Sequence, residues 1–234
     1  MSSGESRNIW IVGTLVAGLI IGHIVWVDAA TARKTVAFDE IDVQRINVRE
    51  PDGTVRMVIA NSSALPGAFA KGREITRPES RGAGMVFLND EGTENGGLVF
   101  YGRKTDGKVS NAGHLSFDQY EQDQVIVLEQ EESDGKRYAT LSFNDMPDAP
   151  LPFDLIPRMD TAEGRAELQK ALATVGTGAE RVRLGKTKDR TSVLELKDAK
   201  GRARLVLKVA ADGAATIDFL DEAGKVVRTL TPMR

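Results

Sequence analysis

One stretch near the start of the chain has a composition that few kinds of segment share. Residues 9–27 form a run of 19 residues without Asp, Glu, Lys or Arg. As a helix, at about 1.5 Å per residue, this run measures roughly 28 Å, which is enough to cross the hydrocarbon core of a bilayer. Trp10 and Trp26 lie at its two ends, where indole rings favour the headgroup level. The sequence therefore predicts a single transmembrane helix after an N-terminal tail of residues 1–8.

A cleaved signal peptide is the alternative interpretation, because Ala30-Thr31-Ala32 has the small residues of a cleavage site. The apolar run exceeds the usual length of about 7–15 residues, however, and a single basic residue, Arg7, precedes it. We therefore expect an uncleaved signal-anchor. The basic residues on its two sides differ too little in number to fix the orientation, but a short leading tail before a long domain favours an extracytoplasmic domain.

The predicted span carries a line of small residues. Thr14, Gly18 and Gly22 lie four residues apart and include a GxxxG motif, which lets a second helix approach closely. The alternative is that glycine is simply common in membrane helices. His23 is a weak candidate ligand for a pigment or haem. A histidine close to Trp26 that hydrogen-bonds at the membrane interface is the interpretation we favour.

Behind this span, short apolar stretches alternate with turn residues, which is typical of antiparallel hairpins. In residues 41–48 apolar and polar side chains alternate with one slip, Pro51-Asp52-Gly53 supplies a turn, and residues 54–59 return. We therefore predict a mainly β fold class, in which a transmembrane helix precedes hairpin-rich antiparallel β domains and one short soluble helix. The same pattern recurs in residues 85–101, 125–141, 193–207 and 217–230.

A cluster of prolines divides the β-rich part of the chain. Half of all the prolines lie within residues 147–159, which we interpret as a stiff, extended linker. Residues 35–146 before it are expected to form a β domain with a long loop over residues 61–84. Residues 117–124 have few apolar positions and are expected to form a solvated edge or turn.

The segment after the linker, residues 160–234, begins with the only helical pattern outside the predicted span. A helix is expected from residue 162 to about residue 173, with Asp160 or Thr161 as its N-cap and β-hairpins after it. Periodicity alone leaves open whether the strands form a sandwich, an open barrel or a stack of hairpins.

The last two hairpins share a strand–Asp-x-x-Gly–strand pattern that starts its turns at Asp198 and Asp221. We interpret this as a loose internal repeat. An aspartate at the start of a turn accepts hydrogen bonds from the following backbone, so we expect a structural role. A calcium loop needs more ligands than this spacing supplies.

Three runs of sequence together resemble a set of bacterial proteins of unassigned activity. The runs are RINV with DGTVRMVIAN (residues 45–61), NDEGTENGGL (residues 89–98) and HLSFDQY (residues 114–120). The resemblance covers residues 38–145. It implies a bacterial source and brings no catalytic assignment.

Enzymatic function has little support in the sequence. The chain has no cysteine, and its only histidine outside the predicted span is His114. Neither a phosphate-binding loop nor a nucleophile elbow is present. We expect no catalytic residue, no metal site and no cofactor. Lys plus Arg total 31 and Asp plus Glu total 34, a net charge of −3, which does not indicate nucleic-acid binding.

The sequence favours a non-catalytic accessory or scaffold subunit of a larger membrane complex, bioenergetic or secretory. The expected location is the bacterial inner membrane, crossed once, with the bulk of the chain periplasmic. The expected partners are the lipid bilayer and other membrane-protein subunits. The helix is expected to contact a neighbouring subunit through Thr14, Gly18 and Gly22, and the β domains are expected to cover that neighbour. A self-assembling envelope binding module, a homo-oligomer through the same residues, is the alternative.

Overall fold

The computed structural model of the chain describes residues 35–75, 82–159 and 161–233. The chain divides into one unit that ends at Asp42 and a second that begins at Val43. Residues 35–42 of the first unit are described, and they contain no helix or strand. The predicted transmembrane helix over residues 9–27 lies outside the described residues. No helix among the described residues has the length and apolar character needed to cross a membrane.

The described part of the second unit is built almost entirely of strands, which confirms the prediction of a mainly β fold. One 3₁₀ helix, η1, and one α-helix, α1, interrupt the series. The elements are β1 (Arg45–Arg49), β2 (Val55–Ala60), β3 (Ala68–Ala70), β4 (Arg73–Ile75), β5 (Ala83–Leu88), β6 (Glu94–Thr105), β7 (Lys108–Asp118), β8 (Gln124–Ser133), β9 (Lys136–Asp145), η1 (Phe153–Arg158), α1 (Ala162–Val175), β10 (Ala179–Lys186), β11 (Ser192–Lys197), β12 (Ala203–Val209), β13 (Ala215–Leu220) and β14 (Val226–Leu230).

Twelve strands form one antiparallel sheet in the order β1-β2-β5-β6-β7-β8-β9-β10-β11-β12-β13-β14. Each strand therefore pairs with its neighbour along the chain, as local hairpin signals favour. The β3–β4 hairpin lies outside the sheet, between β2 and β5. The segment with η1 and α1 separates β9 from β10, but these strands pair directly, with Leu141 opposite Leu184. The sheet is thus continuous from one side of residues 147–159 to the other.

The predicted internal repeat is visible as a recurring five-residue turn. In the turn that starts at Asp198, the N–H of Asp198 donates to the carbonyl of Arg202, and the N–H of Gly201 donates back to the carbonyl of Asp198. Gly201 has φ +73°, which glycine adopts without strain. The carboxylate of Asp198 also accepts the N–H of Lys200 at 2.9 Å, and Asp221 does the same for Ala223. The structural role predicted for both aspartates is confirmed.

The apolar core lies on one face of the sheet, under the β3–β4 hairpin. Phe69 of that hairpin is 8% exposed and packs against Val86 and Leu88 of β5. The tip of the hairpin is fixed where the N–H of Gly72 donates to the carbonyl of Gly92. A Cβ at Gly92 would lie 2.9 Å from Gly72, so this approach requires glycine. The stretch over residues 61–84, expected to be a long loop, therefore holds a short hairpin that covers the core.

The crossover between β9 and β10 is held by the polar turn that follows β7. The side-chain amides of Gln119 and Gln122 donate to the carbonyls of Pro147 and Ala149, at 2.8 and 2.6 Å. Residues 117–124 thus form the expected turn, but Gln122 is buried beneath the crossover rather than solvated. Two amides can hold an irregular segment in this way because each supplies N–H donors to its free carbonyls.

Helix α1 begins where the sequence predicts. The hydroxyl of Thr161 accepts the N–H of Gly164 at 3.0 Å, so Thr161 is the N-cap. Gly164 weakens a helical turn, yet a Cβ there would lie 1.8 Å from the carbonyl oxygen of Arg158. The glycine is therefore needed for the close contact between α1 and η1.

Candidate interaction surface

The face of the sheet opposite the core carries two rows of apolar side chains that run across the strands. Cross-strand pairing places one side chain of each strand in each row. We call the first the aliphatic row: Ile46, Ile59, Met85, Leu98, Leu115, Leu128, Leu141, Leu184, Leu194, Leu207, Ile217 and Leu230. We call the second the aromatic row: Val48, Met57, Phe87, Gly96, Phe117, Ile126, Phe143, Val182, Leu196, Leu205, Phe219 and Arg228. Together the two rows form the apolar face.

None of the hydrophobic side chains in the two rows is buried by the described residues. Near the middle of the sheet, Leu128 and Leu184 are each 51% exposed. Phe117 and Phe143 in the aromatic row are also exposed. The buried aliphatic residues of the sheet, such as Val58 and Val127, all lie on the opposite face. The two apolar rows therefore lie on the face of the sheet that the described residues leave uncovered.

Within the aromatic row, a glycine lets two phenylalanines meet. Gly96 of β6 stands between Phe87 of β5 and Phe117 of β7 in the register. Its φ is +123°, and a Cβ would lie 2.3 Å from the carbonyl of Ser116. Because no side chain intervenes, the two rings stack with centroids 6.4 Å apart. Aromatic side chains placed across a glycine protect the exposed backbone and fix the strand register.

The aliphatic row lines a shallow groove over the last five strands. Its volume is about 570 Å³. Its wall includes the side chains of Leu184, Leu194, Leu207, Ile217 and Leu230. The one charged residue in the lining is Lys208, whose ammonium pairs with Asp218 on the opposite face of the sheet. Most of the lining is apolar, so contact with this groove gains free energy mainly by excluding water.

The opposite face of strands β10–β14 is polar, and we call it the polar face. Lys197, whose side chain is 13% exposed, forms ion pairs with Glu180 and with Glu195, the latter at 3.0 Å. Arg183 contacts Glu180 at 3.1 Å. Burial lowers the pKa of Lys197, but its hydrogen bonds to the two carboxylates outweigh burial, and the pKa is raised. These charges are satisfied among themselves.

A second group on the polar face has the same character. The ammonium of Lys208 lies 2.8 Å from a carboxylate oxygen of Asp218, and the hydroxyl of Thr229 donates to the other oxygen at 2.7 Å. These two hydrogen bonds lower the pKa of Asp218, whose side chain is nearly buried. The charged groups of these two clusters are thus paired with one another, in contrast to the uncovered side chains of the apolar face.

The residues that the sequence selects for helix packing and membrane anchoring lie outside the described residues. They are Thr14, Gly18 and Gly22 for packing, Trp10 and Trp26 for the interfaces, and His23 as the weak ligand candidate. His114 is described: it lies on β7, with Nδ1 3.8 Å from a carboxylate oxygen of Glu129. Among the described residues, no group of three or more His, Cys, Asp and Glu side chains is placed to hold a metal ion.

The apolar face was not predicted as a site, although its signal is present in the sequence. Alternation places Leu194 and Leu196 on one side of β11, and Leu205 and Leu207 on one side of β12. What the sequence does not show is that these pairs share a face with those of all the other strands. That depends on the register, which only the paired strands display.

Comparison with models of known protein families gives no match for this chain, and comparison with curated proteins gives none either.

Proposed function

We propose that this chain is a non-catalytic, membrane-anchored scaffold subunit that joins a larger assembly through the apolar face. The observation that supports this most strongly is the aliphatic row, in which all twelve positions across the sheet are aliphatic or methionine. Contiguous exposed apolar patches larger than a few hundred Å² are rare on monomeric soluble proteins and mark interaction surfaces.

The two faces of β10–β14 differ in a way that favours an assembly role. The polar face satisfies its charges with cross-strand ion pairs, whereas Leu184 and Leu196 opposite them are exposed. Burial of apolar area contributes roughly 25 cal/mol per Å², so leaving two whole rows in water is unfavourable. A neighbouring polypeptide that covers the rows removes that cost.

The membrane part of the proposal rests on the sequence of residues 9–27. That span would anchor the chain in a bacterial inner membrane, with the sheet on the periplasmic side. Thr14, Gly18 and Gly22 would pack against the helix of another subunit, in a complex of respiratory, photosynthetic or secretion type.

Gentle solubilisation of the native membrane followed by sizing of the particle tests this proposal. We expect the wild-type chain in a particle with other polypeptides, and Leu184→Glu to release it, because a carboxylate cannot be buried unpaired at low cost. Val227→Glu is the matched control, since Val227 is 62% exposed and belongs to neither row. Gly18→Leu with Gly22→Leu tests the helix contact separately. A lone wild-type monomer would count against the scaffold role.

A further inference from the structure

We propose that the polypeptide covering the apolar face is a second copy of this chain, so that two sheets pack face to face as a sandwich. This inference rests on the proposed function in one respect, the assignment of the apolar face to assembly. It goes further in naming the partner. The size of the face, its charge and its shape support this partner.

The size of the face matches what a stable dimer needs. Twelve strands about 4.8 Å apart make a strip about 50 Å long, and two side chains per strand make it about 13 Å wide. Laid flat, the strip measures on the order of 650 Å² per copy, or about 1,300 Å² for two copies, before the twist of the sheet is counted. Stable protein interfaces bury about 1,200–2,000 Å², so a stable dimer requires contact over most of the strip.

The charge of the face suits contact with itself. A two-fold axis brings the same surface from both copies together, so any charge near the axis meets a like charge. Of the twenty-four positions in the two rows, only Arg228 is charged, and it lies on the edge strand β14. The middle of the face, around Leu128 and Leu141 of β8 and β9, carries none. Self-association therefore meets no electrostatic penalty at its centre.

The shape of the face also fits a sheet. Antiparallel sheets pack through interdigitating side chains at about 10 Å, with strands about 30° apart because each sheet is twisted. The aromatic row holds four phenylalanines and the aliphatic row holds none, so the two rows differ in side-chain shape. The groove lined by Leu194, Leu207 and Ile217 offers a recess into which side chains of a partner sheet can interdigitate.

Sedimentation equilibrium of the full chain in a mild detergent tests the inference. The Gly18→Leu, Gly22→Leu variant serves as the background, so that association through the predicted span does not contribute. We expect a dimer, and we expect Leu128→Glu and Leu184→Glu each to weaken it by about 30-fold or more, the effect of about 2 kcal/mol for an unpaired buried charge. Val227→Glu should leave the dimer unchanged. Circular dichroism establishes that each variant keeps its sheet.

Some results would contradict the dimer but leave the scaffold role standing, and others would contradict both. A dimer that persists in both Glu variants overturns the second-copy contact. If the background chain sediments as a monomer, the inference is also wrong. In that case, co-purification with a different subunit that Leu184→Glu abolishes would leave the scaffold role standing. A monomer that loses no partner in Leu184→Glu contradicts both.

Discussion

The same face of the sheet is covered in the first part of the sheet and uncovered in the last part. Around β2 and β5, the face is covered by the β3–β4 hairpin, and Phe69 completes a small apolar core with Val86 and Leu88. Across β10–β14, the same face is open and carries ion pairs such as that between Lys208 and Asp218. A sheet face can thus be completed by apolar cover or by its own cross-strand charges.

The comparison also shows what the two parts share. The apolar face continues across both without a break, from Ile46 on β1 to Leu230 on β14. Whether the opposite face is covered by a hairpin or carries ion pairs, the side chains of the apolar face remain without cover. The uniform feature of this molecule is therefore the surface that no described residue covers.

The largest expected effect is on the covered part. Phe69→Ala should lower the free energy of unfolding by about 3–5 kcal/mol, because it removes the ring that packs on Val86 and Leu88 and leaves a cavity. Val227→Ala, on an exposed edge strand, should change it by no more than about 0.5 kcal/mol. Urea unfolding followed by circular dichroism measures both. Equal effects would remove the distinction between a covered and an open region.

A smaller effect is expected from the charges of the open part. Lys197→Met should lower the free energy of unfolding by about 1–3 kcal/mol, because it leaves the carboxylates of Glu180 and Glu195 without their shared cation. The control is Arg137→Met, since Arg137 is largely exposed and solvent screens its pair with Glu132, which should therefore contribute less than the pairs of Lys197. The same unfolding measurement decides the comparison, and it contradicts the ion-pair account if the control costs more.

The pH dependence of the turn at Asp198 gives a third test. The hydrogen bond from Arg202, with those from the turn backbone, lowers the pKa of Asp198 to about 2. Because the folded pKa lies below the ordinary value of 3.8, the stabilisation is complete above about pH 3.8 and is lost as the pH falls towards 2.

Asp198→Asn keeps an oxygen acceptor for the N–H of Lys200 but removes the charge. We expect the wild-type Tm to fall more than that of the variant between about pH 4 and pH 2. Other carboxylates titrate in both proteins, so the difference isolates this pair. Parallel curves would show that the pair contributes nothing to folding.

The smallest effect concerns two turns of the same geometry. Arg190 and Gly201 occupy equivalent positions, with φ +68° and +73°. Arg190→Gly should raise the free energy of unfolding by no more than about 1 kcal/mol, since glycine adopts this conformation without strain. Gly201→Ala should lower it by about 1 kcal/mol, although no atom lies closer than 3.7 Å to the added Cβ. Thermal unfolding compares the two, and a destabilising Arg190→Gly would refute the argument from backbone strain.

The hairpins were predictable because their signals are local. Turn residues and alternation located β1–β2, β5–β6, β8–β9, β11–β12 and β13–β14, and the capping residues Asp160 or Thr161 located the start of α1. Strands β7 and β10 were not predicted. The first continues into the polar turn at Gln119, and the second carries Arg181 and Arg183 among its apolar residues. Charged side chains on a solvated sheet face dilute the apolar pattern on which strand prediction depends.

The sequence by itself determined the β character, the turn chemistry at Asp198 and Asp221, and the start of α1, because each depends on residues within a few positions of one another. Only the tertiary structure decided that β9 pairs with β10 across the proline-rich segment, and that Phe69 covers the core. It also decided that two side chains from each strand line up into the apolar face. Register and coverage join residues far apart in the chain, and a one-residue slip would have sent every such side chain to the other face.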